Sequence, residues 1–141
     1  MTEADPHHLR RFLMAQEPVI EQVRRELRAG RKTTHWMWFI FPQLAGLGHS
    51  DTARFYAIAS RAEAIAYRAH PVLGPRLLDC TRVVLGLESL SAQAIFGTVD
   101  TAKFRSCMTL FANVTPEEPA FQEALDRYYG GEPDKATLIE L

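Results

Sequence analysis

The 141 residues, 47% hydrophobic and 23% charged, have the composition of one ordinary globular domain, large enough to bury roughly two-thirds of its unfolded surface without staples. A formal net charge of −1 gives no general attraction to nucleic acid or to an anionic membrane. The longest apolar run, Trp36 to Phe41, falls far short of the ~20 residues that cross a bilayer, and the acidic, polar start MTEADPHHLRRF is unlike a signal or transit peptide.

Asp5-Pro6 reads as an N-cap followed by proline at the first helical position, opening a helix with Leu9, Phe12 and Leu13 on one face. Pro18 restarts it. Val19, Ile20, Val23 and Leu27 recur at helical spacing, Glu21 and Arg25 stand at i, i+4 on the wet side, and Gly30 closes the element. The run WMWFIF is too short for periodicity to decide. A cap at Thr33 or Thr34 and the lack of a second strand-like run favour a buried helix, which Pro42 ends. Gln43 to His49 is then a glycine-bearing loop.

Ser50 caps a short helix with Asp51 in its first turn, and Ser60-Arg61-Ala62-Glu63 is a capping box opening an Ala-rich helix to Ala69. After His70-Pro71, Leu73, Leu77, Leu78, Thr81, Val84 and Leu85 form the inner stripe of another, with Pro75 tolerable in its first turn. Ser91 begins a short helix that Gly97 stops, and Asp100 caps the helix bearing Phe104, Met108 and Phe111. Thr115-Pro116-Glu117-Glu118 reads as the cap and first turn of a helix to Tyr129; Gly130-Gly131 ends it, and Asp134 caps a last turn. The expectation is all-α: a single compact domain over residues 1–141, core about 9–138, of about seven to nine short helices. Cys80 and Cys107 fall inside apolar helical patterns and read as reduced, buried thiols of a cytoplasmic protein rather than a disulfide.

Residues 31–51, RKTTHWMWFIFPQLAGLGHSD, hold both tryptophans and two of the five histidines, and they concentrate the side chains able to do chemistry. Histidine titrates near neutrality, so His35 and His49 are candidate acids or bases, with Asp51 able to stabilise a developing oxocarbenium-like charge. Trp36 and Trp38 offer a ring to stack on a base or a sugar. Lys32, Lys103 and Arg105 can hold a phosphate, and Gln43 and Ser50 can orient a ligand. Each group also has a plain alternative in a capped turn, a core tryptophan or a solvated helix face. The loop Gly46-Leu47-Gly48-His49-Ser50 fits neither the dinucleotide fingerprint nor the P-loop. No HxxxH, HExxH or CxxC spacing suggests a metal, no cofactor is implied, and no triad order or nucleophile elbow is present.

The stretches THWMWFIFPQLAGLGHS, FYAIAS, AYRAHPVLGPRLLDC, IFGTVD, KFRSCMTLF and LDRYYGGEPDKATL resemble the bacterial DUF1810 family over about residues 9–138. That resemblance implies a single-domain, cytosolic, mainly α-helical protein and no particular activity. Some proteins of this kind carry a calpastatin-like label. Calpastatin inhibitory units are disordered, with a Thr-Ile-Pro-Pro-type segment, and this core-forming chain has none.

Two classes of function fit. One is a protein that binds, and in its enzymatic form processes, a small phosphorylated or nucleotide-type metabolite in a pocket built on residues 32–51. The other is a non-catalytic protein–protein interaction module whose surface is the tryptophan segment or the Tyr128-Tyr129 helix end. Histidines and glycine turns beside aromatics suit a concave pocket better than a flat interface.

Overall fold

The structure is a computed structural model and describes residues 4–141. Nine helices occur among them: α1 (Arg10–Gln16), α2 (Ile20–Arg28), α3 (Met37–Ile40), α4 (Asp51–Phe55), α5 (Arg61–Ala69), α6 (Leu73–Leu85), α7 (Ala92–Val114), α8 (Ala120–Tyr129) and α9 (Lys135–Glu140). The one β feature among the described residues is an isolated parallel bridge between Leu44 and Ile58.

The capping chemistry explains most boundaries. The hydroxyls of Ser50, Ser60 and Ser91 accept the backbone N–H of Ala53, Glu63 and Ala94, and Asp134 accepts that of Thr137, which sets where α4, α5, α7 and α9 begin. Four capping expectations are corrected. α1 starts at Arg10, because His8 takes a left-handed φ of 52° and interrupts any helix from Pro6; the Asp5 carboxylate reaches forward to the N–H groups of Leu9 and Arg10 instead. Thr33 and Thr34 do not cap α3, since both turn to Glu26. Asp100 lies within α7, where its carboxylate pairs with Lys32 and Lys103 rather than capping. Residues 115–118 form a turn closed by Glu118 N–H on the Thr115 carbonyl, and α8 begins only after Pro119, with Glu118 accepting from the Ala120 N–H.

α7 organises the core. Gly97 breaks it with φ 86° and ψ 171°, a conformation essentially restricted to glycine, so the two halves of α7 aim differently. Beyond the break Phe104, Cys107, Met108, Leu110 and Phe111 are all fully buried, and α5, α8 and α9 pack around this half. α6 is sandwiched by α2, α5 and α8. Phe41 meets Phe104 at 5.0 Å between ring centroids and Phe96 at 5.8 Å, which anchors the segment after α3 to α7. On the other side Phe12, Tyr67 and Phe111 run in series from α1 through α5 to α7. Each such ring contributes roughly 1.5–3 kcal/mol by leaving water. Burial pushes the Cys80 thiol up to about 11 and that of Cys107 well above its ordinary value, so both are unreactive. Among the described residues no helix is long and apolar enough to cross a membrane.

Candidate functional site

The chain from Thr33 to Trp36 is gathered on one buried carboxylate. Glu26, on α2 and 4% exposed, accepts the backbone N–H groups of Thr33 and Thr34, the Thr34 hydroxyl, the Gln22 amide and the indole Nε1–H of Trp36. Burial is the largest influence on this carboxyl and acts to raise it. The hydrogen bonds from Thr34, Thr33 and Gln22 together outweigh burial and hold it at about 2. Trp36 is therefore consumed by the structure: it is 1% exposed, bound to Glu26 and packed on Phe41.

Trp38, two residues on, is only half buried and forms one wall of a cleft of about 440 Å³. The next carbonyl along the chain, that of Phe39, accepts the amide of buried Gln16 at 2.7 Å and so fixes α3 to α1. Beyond Pro42 the loop is pinned to the chain after α4 by two backbone hydrogen bonds, Ile58 N–H to the Gln43 carbonyl and Ala45 N–H to the Ile58 carbonyl. Gly48 comes so close to α4 that a Cβ there would stand 2.6 Å from that of Ala53. This close approach presents Gln43, Gly48, His49 and Ser50 to the cleft.

The facing wall is α7 just beyond its break. Val99, Ala102, Lys103 and Ser106 follow the i, i+3, i+4, i+7 pattern of one helical face, and all four line the cleft. Asp134 and Ala136 close the end beside α9. The Lys103 ammonium lies 4.9 Å from the Trp38 ring centroid and 3.4 Å from Asp100, whose other oxygen holds Lys32 at 2.8 Å. Among the described residues, neither Gln43 nor His49 has a side-chain hydrogen-bond partner.

Five of the sequence candidates thus share the cleft: Trp38, Gln43, His49, Ser50 and Lys103. Lys32 stands behind Lys103, joined through Asp100 and packed over Trp36. His35 is exposed and does not line the cleft. Asp51 borders a separate hollow, with Phe39, Phe55 and Tyr56, that shares only Trp38 with it. Arg105 points to another face of α7, where it binds the carbonyl and carboxylate of Glu132 and covers the Tyr129 ring. The Ser50 hydroxyl is already engaged as the cap of α4. Asp134 was legible in sequence only as a cap. Its place in the cleft depends on the chain after α8 folding back until the Asp134 N–H meets the Thr109 hydroxyl, which no local pattern signals. No three His, Cys, Asp or Glu side chains among the described residues gather as metal ligands would.

Fold and site together define a small all-α protein with a tryptophan-walled cleft of mixed polar and apolar lining between α3, α7 and α9. Residues 6–141 match the family described as "Protein of unknown function (DUF1810)", and the chain belongs to that family. It is similar to the crystal structure of the conserved hypothetical protein Rv1873 from Mycobacterium tuberculosis, at 50% identity and a TM-score of 0.96, over 97% of this chain and 98% of that one. No curated protein matches it.

Proposed function

We propose that the cleft binds a small phosphorylated or nucleotide-type metabolite. The observation that carries this reading is the set of polar groups around Trp38 that the fold leaves unspent. Among the described residues Gln43 and His49 have no side-chain partner, and Lys103 is held there by a 3.4 Å ion pair and a ring face. His49 is exposed and Gln43 half-buried, so both side chains are open to an incoming ligand, unlike the buried donors gathered on Glu26. The volume of about 440 Å³ falls in the range of small-molecule sites.

In this reading Lys103 exchanges Asp100 for a ligand phosphate while Lys32 stays paired to Asp100. Trp38 stacks on the ligand's flat face once the ammonium withdraws, and the Gln43 amide orients it. Of the three residues with candidate catalytic chemistry, His49 alone lines the cleft, so a proton transfer there runs through His49.

The interaction-module reading draws on exposed Phe55 and Val99, which are 53% and 71% accessible. Its other surface is weakened, because the Tyr128 and Tyr129 hydroxyls turn inward to the carbonyls of Val84 and Thr101. A thermal-shift screen against nucleotides, nucleotide sugars and phosphorylated metabolites separates the two readings. A ligand at a hundred times its Kd adds about 2.7 kcal/mol of stability. The expected result is a hit whose shift Lys103→Ala removes. A blank panel on folded protein favours the interaction module.

A further inference from the structure

We infer that the cleft is two-ended, with Lys103 for an anionic group and Asp134 as an acceptor for ligand hydroxyls, so that its ligand class is a phosphorylated polyol such as a sugar phosphate. This rests on the reading of the cleft as a ligand site and narrows it.

Asp134 is held from both sides. Its backbone N–H donates to the Thr109 hydroxyl at 2.9 Å, and its Oδ2 accepts both the backbone N–H of Thr137 at 3.0 Å and the Thr137 hydroxyl at 2.5 Å. The second oxygen, Oδ1, has no hydrogen-bond partner among the described residues, and no cation stands within ion-pairing distance of the carboxylate. Asp100 is the contrast, since both of its oxygens are occupied by lysines. Asp134 therefore presents a fixed, charged acceptor whose orientation is already determined when a ligand arrives, which lowers the ordering cost of binding.

Ser106, on α7 between Lys103 and Thr109, also lines the cleft. The Ser106 hydroxyl gives its proton to the Ala102 carbonyl, which leaves only lone pairs for a ligand. The Asp134 carboxylate thus accepts hydrogen bonds and repels anions, whereas the Lys103 ammonium donates and attracts them. Thr109, to which Asp134 is tied, lies six residues beyond Lys103 on α7, about 9 Å along the helix axis. A pentose or hexose phosphate carries both a phosphate for Lys103 and hydroxyls for Asp134, the two side chains that line the one cleft. Inorganic phosphate does not. Trp38, in the same lining, offers a flat wall to the sugar's C–H face.

The test is calorimetric titration of the full chain with ribose 5-phosphate, inorganic phosphate and ribose. Ribose 5-phosphate is expected to bind about ten-fold or more tightly than inorganic phosphate, as a charge-assisted hydrogen bond to hydroxyl permits. Asp134→Asn keeps an oxygen for Thr137, and it is expected to cut that advantage several-fold without lowering phosphate affinity and with little change in Tm. Thr137→Val removes the hydroxyl donor to Asp134 and is expected to lower Tm while retaining the preference for ribose 5-phosphate. Equal wild-type affinities, a preference that survives Asp134→Asn, or one lost equally in Thr137→Val each overturn the two-ended cleft and leave the metabolite site standing. No binding of any of the three at millimolar concentration overturns the two-ended cleft, whereas only a blank thermal-shift panel overturns the metabolite site.

Discussion

Two tryptophans two residues apart have opposite fates. Around Trp36 the buried polar groups are spent: one carboxylate takes five donors, the indole N–H among them, and the ring packs on Phe41 with the Lys32 ammonium over its face. Around Trp38 the ring is half open and the nearby Gln43, His49 and Asp134 keep hydrogen-bonding capacity that the fold does not use. The difference between a structural knot and a candidate site is thus one of hydrogen-bond accounting rather than residue type. Both regions are rich in the same side chains.

The largest effect expected from breaking this contrast is at the knot. Glu26→Ala leaves buried donors on Thr33, Thr34 and Trp36 without an acceptor, and it should cost about 3 kcal/mol or more in urea unfolding. The same carboxylate sets a pH dependence. Its folded value of about 2 lies below its ordinary 4.5, so its contribution is fully present above pH 4.5 and is lost as pH falls from there through about 2. That loss is on the order of 3 kcal/mol, and unfolding curves for wild type and Glu26→Gln should converge toward pH 2. Next in size, Trp36→Phe removes one buried hydrogen bond and part of a ring, a cost of about 1–3 kcal/mol with ligand affinity retained. The smallest stability effect belongs to the cleft. Trp38→Phe and Lys103→Ala should each stay within about 1 kcal/mol, since a half-exposed ring and a surface ion pair contribute little, yet both should abolish the ligand-induced thermal shift.

The sequence carried the architecture well because helix ends are local. Ser50, Ser60, Ser91 and Asp134 cap what their spacing predicts, and Gly97 and Gly130 stop what they should. It failed where a distant group outbid a local one. Thr33 and Thr34 have good capping chemistry for α3, but Glu26 brings a buried charge that a helix end does not match. Thr115-Pro116 reads as a start, but Pro119 takes that place. The site divides in the same way. Trp38, Gln43, His49 and Ser50 are close in sequence and stay together, whereas the placement of Lys103 and Arg105 depends on the phase of α7. The i, i+3, i+4, i+7 row from Val99 to Ser106 would have separated them, because Lys103 lies on it and Arg105 does not. His35 and Asp51 flank the cleft residues in sequence, but the turn before α3 and the start of α4 carry them elsewhere.

The most direct test of the contrast is a fluorescence titration of the Trp36→Phe protein, in which Trp38 is the sole tryptophan, with ribose 5-phosphate and with the best ligand of the thermal-shift panel. A saturable change in Trp38 emission, absent from the Trp38→Phe protein in which only buried Trp36 reports, is the result predicted. A flat Trp38 signal on folded protein that demonstrably binds the ligand by calorimetry would place binding elsewhere and contradict the assignment of the cleft.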